Sequence, residues 1–272
     1  MLTPEFKAAL DARLFSLATV TLATQPANGH QVKIEHLRQD IPAPAWFSWE
    51  VMNSYIDLLR SAFCPESSAD EHAELPLAMM PLQFFKGLCD AASGPSETAL
   101  DPAEYSQGIN NTNFFEHRAI LIPVYHGAHF SLVYVMPHSN VIRHFDADAP
   151  PLSESSKLST KEKLSSPERT ALEVVGGWVK SLVTQEAWDL FNLVIERGAP
   201  RQAGGSGDCG PLLLLEMRFL ACGAAQNVYG LAELSDNEMG QLCINFRYRI
   251  MAELICQKLN PKIRDLPPVT FA

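Results

Sequence analysis

The cysteines of this sequence lack the pairing that metal sites and disulfide frameworks need. No two of them form a CxxC pair, so the ligand spacing of a typical zinc site is missing and no metal is expected. They are also too sparse for a disulfide scaffold, which favours a reducing compartment. The cysteines are Cys64, Cys89, Cys209, Cys222, Cys243 and Cys256.

Basic clusters and long apolar runs are missing as well. The formal net charge is -10 at pH 7 and Lys and Arg form no cluster, which argues against a nucleic-acid partner. The longest apolar run, residues 211–215, is far shorter than the roughly 18 residues of a membrane-spanning helix, so no membrane association is expected. Residues 1–15 have no apolar core of the secretory kind. We therefore expect a cytoplasmic or nuclear protein, or an effector that acts inside a host cell.

Apolar residues are plentiful enough for a sizeable core, since 47% of the chain is hydrophobic and only 19% is charged. Helical periodicity is clearest from Trp46 or Ser48 to about Phe63, whereas residues 19–45 are predicted to be mostly extended. The predicted helices are residues 4–18, 46–63, 77–90, 169–183, 211–220 and 231–259.

Strand signals are concentrated in the middle of the chain. Residues 119–125, 129–136 and 141–145 are rich in β-branched and aromatic residues, and the links between them are short turns. Three strands so closely spaced predict an antiparallel meander, to which residues 188–196 add a fourth strand. Helices before and after a group of strands indicate an α+β domain.

Composition suggests the domain boundaries. Residues 147–168 are rich in Ser, Lys and Pro and poor in apolar residues, which predicts a flexible insertion. We expect a core domain over residues 33–260, preceded by an extension of residues 1–32 and followed by a tail of residues 261–272.

Cys209 stands where a thiol is activated most readily. It follows the Gly-rich residues 204–207, lies within Asp208-Cys209-Gly210, and is predicted to open an apolar helix. A thiol at a helix N-terminus faces unpaired N–H groups and the positive end of the helix dipole, and both favour the nucleophilic thiolate. The alternative is a buried cysteine that only packs in the core.

The meander contains candidates for a general base and for the carboxylate that would orient it. If His129 begins the second strand and Asp146 follows the third, an antiparallel hairpin places the two side by side. The imidazole could then take a thiol proton while the carboxylate fixes its tautomer. On local grounds His126 and His144 compete for the first role, and Asp148 competes for the second.

An oxyanion donor is the remaining requirement. Gln202 lies seven residues before Cys209, and its side-chain amide together with the Cys209 N–H could hold an oxyanion. A glutamine in a loop is a weak signal by itself.

Taken together, these residues resemble the SUMO-specific proteases, the ubiquitin-like-modifier family of cysteine peptidases. In that family a His followed by an aromatic is separated by seventeen residues from an Asp, and a Gln then precedes an Asp-Cys-Gly tripeptide. His129-Phe130 and Phe145-Asp146 keep that interval. Residues 46–59 resemble the Trp-Leu-Asn-Asp helix motif of the family, and Ile122-Pro123-Val124 resembles the strand that leads into the site.

The resemblance implies a papain-like α+β fold, with a mixed or antiparallel central sheet flanked by helices and the nucleophile at a helix N-terminus. It implies hydrolysis after the C-terminal Gly-Gly of a modifier, with no cofactor. His129, Asp146, Cys209 and Gln202 take the catalytic roles by this resemblance. The implied substrate-binding residues are Trp46, Trp49, Phe130 and Gly210.

Three departures from the family pattern affect residues that the resemblance assigns to substrate binding or to the oxyanion hole. Phe130 replaces the usual Trp, Trp49 replaces an acidic residue, and Gln202 lies one residue farther from the cysteine than is usual. SUMO is the first expectation for the modifier, with ubiquitin and the neddylation modifier as alternatives. An acetyltransferase of the same fold and a non-catalytic modifier-binding module are the rival functions.

Overall fold

The structure is a computed structural model in which the chain forms two units. One unit combines both ends of the sequence, residues 1–63 and 200–272, and the other is residues 64–199. The structure describes residues 5, 8, 12, 21–24, 31–40, 45–64, 76–94, 99–148, 166–196, 202, 207–225, 230–231 and 233–259.

The helices and strands of the described residues are given in chain order. They are β1 (Thr21–Thr24), β2 (Gln31–Lys33), α1 (Ile34–Asp40), α2 (Trp49–Phe63), β3 (Leu77–Met79), α3 (Leu82–Ser93), α4 (Pro102–Tyr105), β4 (Ala119–His126), β5 (His129–Met136), β6 (Val141–Phe145), α5 (Ser166–Leu182), α6 (Gln185–Trp188), β7 (Asn192–Glu196), α7 (Cys209–Ala221) and α8 (Asp236–Cys256).

The unit of residues 64–199 is built on a five-stranded sheet with the order β3-β4-β5-β6-β7. The three central strands are antiparallel, whereas each outer strand runs parallel to its neighbour. The helices α3 and α5 pack on this sheet. Their apolar side chains and those of the strands bury one another, which is the main stabilising contribution expected for such a layer.

The turn between β4 and β5 fixes the position of His129. Gly127 and Ala128 have φ values of 58° and 67°, and His126 pairs with His129 across them. Positive φ at both central residues is the signature of a type I′ turn, whose twist suits an antiparallel hairpin. The hairpin therefore begins β5 at His129 without a bulge.

The other unit places three helices together. α2 packs on both α7 and α8, and α8 packs on α7. Tyr55 of α2 donates a 2.7 Å hydrogen bond to Glu253 of α8, which also accepts a 2.6 Å bond from Arg218 of α7. Because all three polar groups are buried, these bonds supply the partners that burial demands. Ser235 and Glu238 begin α8 with a reciprocal capping box.

The predicted α+β class with a mixed sheet flanked by helices is confirmed, and so is the antiparallel meander of β4, β5 and β6. The predicted helix 77–90 is partly wrong, because residues 77–79 form β3 beside β4 before α3 starts at Leu82. The predicted strand 188–196 begins later, since α6 extends to Trp188. Residues 34–40 form a helix where an extended segment was predicted.

Several boundaries stay predictions. The predicted helix 4–18, the tail of residues 261–272 and most of the insertion 147–168 lie outside the described residues. The predicted limit between residues 32 and 33 falls within β2, which pairs with β1. Of the helices that the structure describes, none combines the length and apolar character needed to cross a membrane.

Candidate active site

His129 and Asp146 are joined by a hydrogen bond of 2.6 Å between Nε2 and Oδ1. His129 begins β5, and Asp146 directly follows the last residue of β6, its antiparallel neighbour. A carboxylate can only accept, so Nε2 carries the proton and Nδ1 is the basic nitrogen of this tautomer. The geometry is that of an imidazole oriented by a carboxylate.

The competing residues take other positions. His126 is exposed at the end of β4, whereas His144 is buried and its Nε2 lies 2.8 Å from the hydroxyl of Ser131. The backbone N–H of Asp148 donates to Asp146 Oδ1 at 2.9 Å. His129 and Asp146 are the candidates that an imidazole–carboxylate hydrogen bond joins.

Asp146 is held as an anion despite its burial. Burial raises the pKa of this carboxyl, but the hydrogen bond and charge of His129, the Asp148 N–H and the charge of His144 together lower it below its usual range. An ionised Asp146 is the form that accepts the Nε2 proton. It would also stabilise the imidazolium that forms when His129 acts as a base.

Cys209 is the first residue of α7, as predicted, and is only 1% exposed. Asp208 before it has φ -88° and ψ 2°, which lies in the sparsely populated bridge region. Asp208 binds Arg247 of α8, whose Nη2 lies 2.9 Å from Oδ1. The residue before the thiol is thus held by a side chain that lies 39 residues later in the sequence.

Gly210 is packed closely against the start of α2. A Cβ on this residue would lie 3.3 Å from the Cβ of Phe47 and 3.3 Å from the Sδ of Met52. Such contacts are tighter than most, so a side chain here would require these neighbours to move by a few tenths of an ångström. This packing role is a finding, and the predicted substrate-binding role of Gly210 stays a prediction.

Gln202 belongs to the same unit as Cys209. Its Oε1 is buried and accepts no hydrogen bond from the part of the chain that the structure describes. An oxyanion needs the other half of the amide, the NH2 group, as donor. The assignment of Gln202 to an oxyanion hole stays a prediction.

The three predicted aromatic substrate contacts differ in exposure. Trp46 is 51% exposed and Trp49, the first residue of α2, is half-buried. Phe130 is only 2% exposed, and its ring lies 4.9 Å from that of Tyr125. Trp46 is therefore the one of the three that presents a large apolar surface to a partner. The roles of all three as substrate contacts stay predictions.

Sequence comparison gives no relative: no family model matches the chain, and no curated protein matches it. Solved structures do match. The Ulp1 protease domain in complex with Smt3, the yeast ortholog of SUMO, has a TM-score of 0.63 at 12% identity, over 94% of this chain and 96% of that domain. The Ulp1-like SUMO protease catalytic domain of Chaetomium thermophilum has a TM-score of 0.60 at 18% identity, over 92% and 90% of the two chains.

This chain has the SUMO protease fold. A de-sumoylating protease also matches it, with a TM-score of 0.52 at 13% identity over 84% of this chain and 89% of that one. The matches extend over nearly the whole length of these catalytic domains. The resemblance inferred from four short motifs is therefore confirmed at the level of the fold.

The structure divides the predicted residues between its two units. His129, Phe130 and Asp146 belong to residues 64–199, while the other predicted residues belong to the unit that contains both chain ends. Sequence reasoning missed Arg247, because an arginine within an amphipathic helix resembles a surface charge. Among the described residues, no cluster of three or more His, Cys, Asp or Glu side chains is arranged to bind a metal ion.

Proposed function

We propose that this protein is a cysteine protease that hydrolyses the bond after the C-terminal Gly-Gly of a ubiquitin-like modifier, with SUMO as the first candidate. The observation that carries the proposal is the 2.6 Å hydrogen bond between His129 and Asp146, in a chain with the SUMO protease fold whose Cys209 opens a helix. The modifier would be removed from a lysine side chain or from a precursor peptide.

The first chemical step forms a thioester. His129 Nδ1 takes the proton of Cys209, whose sulfur bonds to the carbonyl carbon of the terminal glycine. The carbonyl oxygen becomes an oxyanion, and we assign its hydrogen bonds to the Cys209 N–H and the amide of Gln202. When the C–N bond breaks, the amine leaves with the proton that His129 held.

The second step releases the modifier. A water molecule attacks the thioester carbonyl while His129 takes its proton, and the C–S bond then breaks. The products are a modifier with a free C-terminal carboxylate and Cys209 as the thiol, reprotonated from His129. Asp146 stays ionised throughout and keeps the imidazole in its working tautomer.

Selectivity would rest on the flat walls that a Gly-Gly tail requires. We assign one wall to the exposed indole of Trp46. In this proposal Phe130 forms the second wall. Its ring is buried against Tyr125, so it must become exposed before the substrate can contact it. The replacement of an acidic residue by Trp49 is a reason to test ubiquitin and the neddylation modifier beside SUMO.

The test uses modifiers whose C-terminus carries an electrophile that traps a thiolate. SUMO, ubiquitin and the neddylation modifier are each incubated with the protein, with Cys209→Ala and with Cys222→Ala. Cys222 follows α7 at its other end and is exposed, so its variant controls for adventitious thiol chemistry. We expect a covalent adduct with one modifier, lost in Cys209→Ala and kept in Cys222→Ala.

The other results each point elsewhere. Folded protein that forms no adduct with any of the three modifiers would overturn the protease proposal. Tight binding to a modifier without an adduct would indicate the non-catalytic binding module. Transfer of an acetyl group to a protein substrate would indicate the acetyltransferase.

A further inference from the structure

The guanidinium of Arg247 joins three segments around the nucleophile loop. Its Nε and Nη2 donate to Oδ1 of Asp208 at 3.1 and 2.9 Å. Nη2 also donates to the carbonyl of Gly207 at 2.9 Å, and Nη1 donates to the carbonyl of Asp40 at 2.8 Å. The side chain is completely buried, so water does not compete for these bonds.

The same guanidinium is tied to the start of α2. It lies over the ring of Phe47, 4.8 Å from the centroid, and Phe47 is the residue that packs against Gly210. The carboxylate of Asp40 accepts a 2.6 Å hydrogen bond from the N–H of Ser48, just before α2 begins. One side chain thus links the end of α1, the start of α2 and the residue before Cys209.

Asp208 occupies the N-cap position of α7 but does not cap it. Aspartate is among the favoured residues at this position because its carboxylate usually accepts from an N–H of the first turn. Here the carboxylate makes no such bond within the described part of the chain, and Oδ1 binds Arg247 instead. The carboxylate therefore leaves the N–H groups of the first turn of α7 to other acceptors.

We propose that Arg247 is a positioning residue that holds the Asp208 carboxylate away from the N-terminus of α7, so that the Cys209 N–H can bind the oxyanion of the reaction. This inference rests on the proposed function. A carboxylate turned toward the first turn of α7 would accept from the N–H of Gly210, the second residue of the helix, because the third, Pro211, has no N–H. It would also bring a negative charge beside the thiolate and the oxyanion, which are negative themselves.

Arg247 positions the backbone as well. Its bond to the carbonyl of Gly207 fixes the plane of the peptide between Gly207 and Asp208, because a peptide is rigid. The left-handed conformation of Gly207, φ 67°, allows that carbonyl to turn toward the guanidinium. The next peptide joins Asp208 to Cys209. Because Arg247 holds both the Gly207 carbonyl and the Asp208 carboxylate, the direction of the Cys209 N–H is set before substrate binds.

Stability alone does not account for this arrangement. A buried ion pair is often no more stabilising than apolar side chains of the same volume, so a pure packing role would be filled as well by an apolar residue. Three of the four hydrogen bonds of Arg247 instead go to Gly207 and Asp208, the two residues before Cys209.

The decisive test is a double variant. Arg247→Met releases the Asp208 carboxylate, and we expect kcat to fall about 10- to 100-fold with little change in KM, less than the roughly 10²- to 10³-fold loss when an oxyanion donor is removed outright. Arg247→Met combined with Asp208→Ala has no carboxylate to block the helix, and we expect kcat to recover about tenfold from the single variant. Arg247→Lys should stay impaired, because an ammonium group lacks the planar fork.

Two controls separate positioning from stability. Arg218→Met breaks a second buried ion pair, and Arg249→Met removes a more exposed partner of Glu253 two residues along α8 from Arg247. Both should lower the unfolding midpoint yet keep kcat of the folded protein within about threefold. A loss of kcat in these controls equal to that of Arg247→Met would overturn the inference.

A second readout does not depend on a modifier. Alkylation of Cys209 by iodoacetamide, followed peptide by peptide with mass spectrometry, should slow about tenfold in Arg247→Met and recover in the double variant. If this pattern holds in a protein that cleaves no modifier, the proposed function fails and the inference about the loop stands. If the protein cleaves a modifier but the double variant stays as slow as Arg247→Met in both assays, the inference fails alone.

Discussion

His129 and Asp146 lie 17 residues apart in the chain and share a hydrogen bond of 2.6 Å. Strand β6 returns beside β5, so the carboxylate after one strand meets the imidazole at the start of the other. The 17-residue interval in the sequence therefore corresponds to the hairpin that runs from the imidazole of His129 to the carboxylate of Asp146. A change in that length would shift the register and separate them.

Asp146→Asn should abolish most activity without unfolding the protein. An amide can offer a donor to Nε2 and so favour the wrong imidazole tautomer, and we expect kcat to fall about 10²- to 10⁴-fold, as in other enzymes with this kind of pair. Hydrolysis of a fluorogenic modifier substrate measures the effect. Asp148→Asn is the matched control, because only its backbone N–H contacts Asp146, and it should keep near-normal kcat. Equal losses in both variants would contradict the assignment of Asp146.

Two buried aspartates should make the stability of the protein change with pH in opposite directions. Burial raises the pKa of Asp146, but the contacts of His129, Asp148 and His144 together lower it below its usual range, so its stabilisation is present above the unfolded value of about 3.9 and is lost as pH falls below it. Burial raises the pKa of Asp40 above that value, despite its bond from Ser48, so acid relieves a destabilisation there.

Urea unfolding of Asp146→Asn and Asp40→Asn measures these signs between about pH 6 and pH 3. The advantage of the wild-type protein over Asp146→Asn should shrink as pH falls through the lower part of this range. Relative to Asp40→Asn, the wild-type protein should instead gain stability on acidification. Parallel curves for the two variants would contradict the expected signs.

Gly210→Ala should destabilise the protein. The new methyl group would lie 3.3 Å from side-chain atoms of both Phe47 and Met52, so these side chains must move by a few tenths of an ångström. We expect a net loss of about 1–2 kcal/mol in the free energy of unfolding, because this strain exceeds the gain in helix propensity. Gly177→Ala is the control, since its Cβ in α5 meets no atom within 4 Å, and it should stabilise by about 0.5–1 kcal/mol. A stabilised Gly210→Ala would show that the contact is relieved at no cost.

Ala128→Gly should stabilise the turn that begins β5. Ala128 has φ 67°, a left-handed conformation that costs an L-residue about 1–2 kcal/mol, part of which glycine loses again through entropy in the unfolded chain. We expect a net gain of about 0.5 kcal/mol, measured as a higher urea midpoint. The same substitution at exposed Ala91 in α3 should lower the midpoint instead. A loss at both positions would argue against a strained turn.

Much of the fold followed from local pattern, because the central strands are consecutive and joined by short turns. β3 was missed for the opposite reason: three apolar residues pair in parallel with β4 some forty positions later, and the sequence around them looks helical. The helix α1 is short and precedes a segment with two prolines, which read as extended.

Residues of the candidate site that belong to short motifs could be predicted from the sequence, whereas residues held by long-range packing could not. Asp146 was found from its spacing to His129, whereas Asp208 was seen only as the neighbour of Cys209. Its partner Arg247 lies 39 residues away on a helix that shows no local sign of function. Long-range ion pairs leave no periodicity in the sequence, and only the fold shows them.

The discontinuous unit also orders events during synthesis on the ribosome. Residues 64–199 are contiguous and can pair their strands while the rest of the chain is still being made. Tyr55 must wait for Arg218 and Glu253, which follow it by 163 and 198 residues. Cys209 likewise leaves the ribosome before Arg247. The nascent chain therefore carries Cys209 for some time without Arg247, and we expect the proposed peptidase activity to appear only after α8 has emerged.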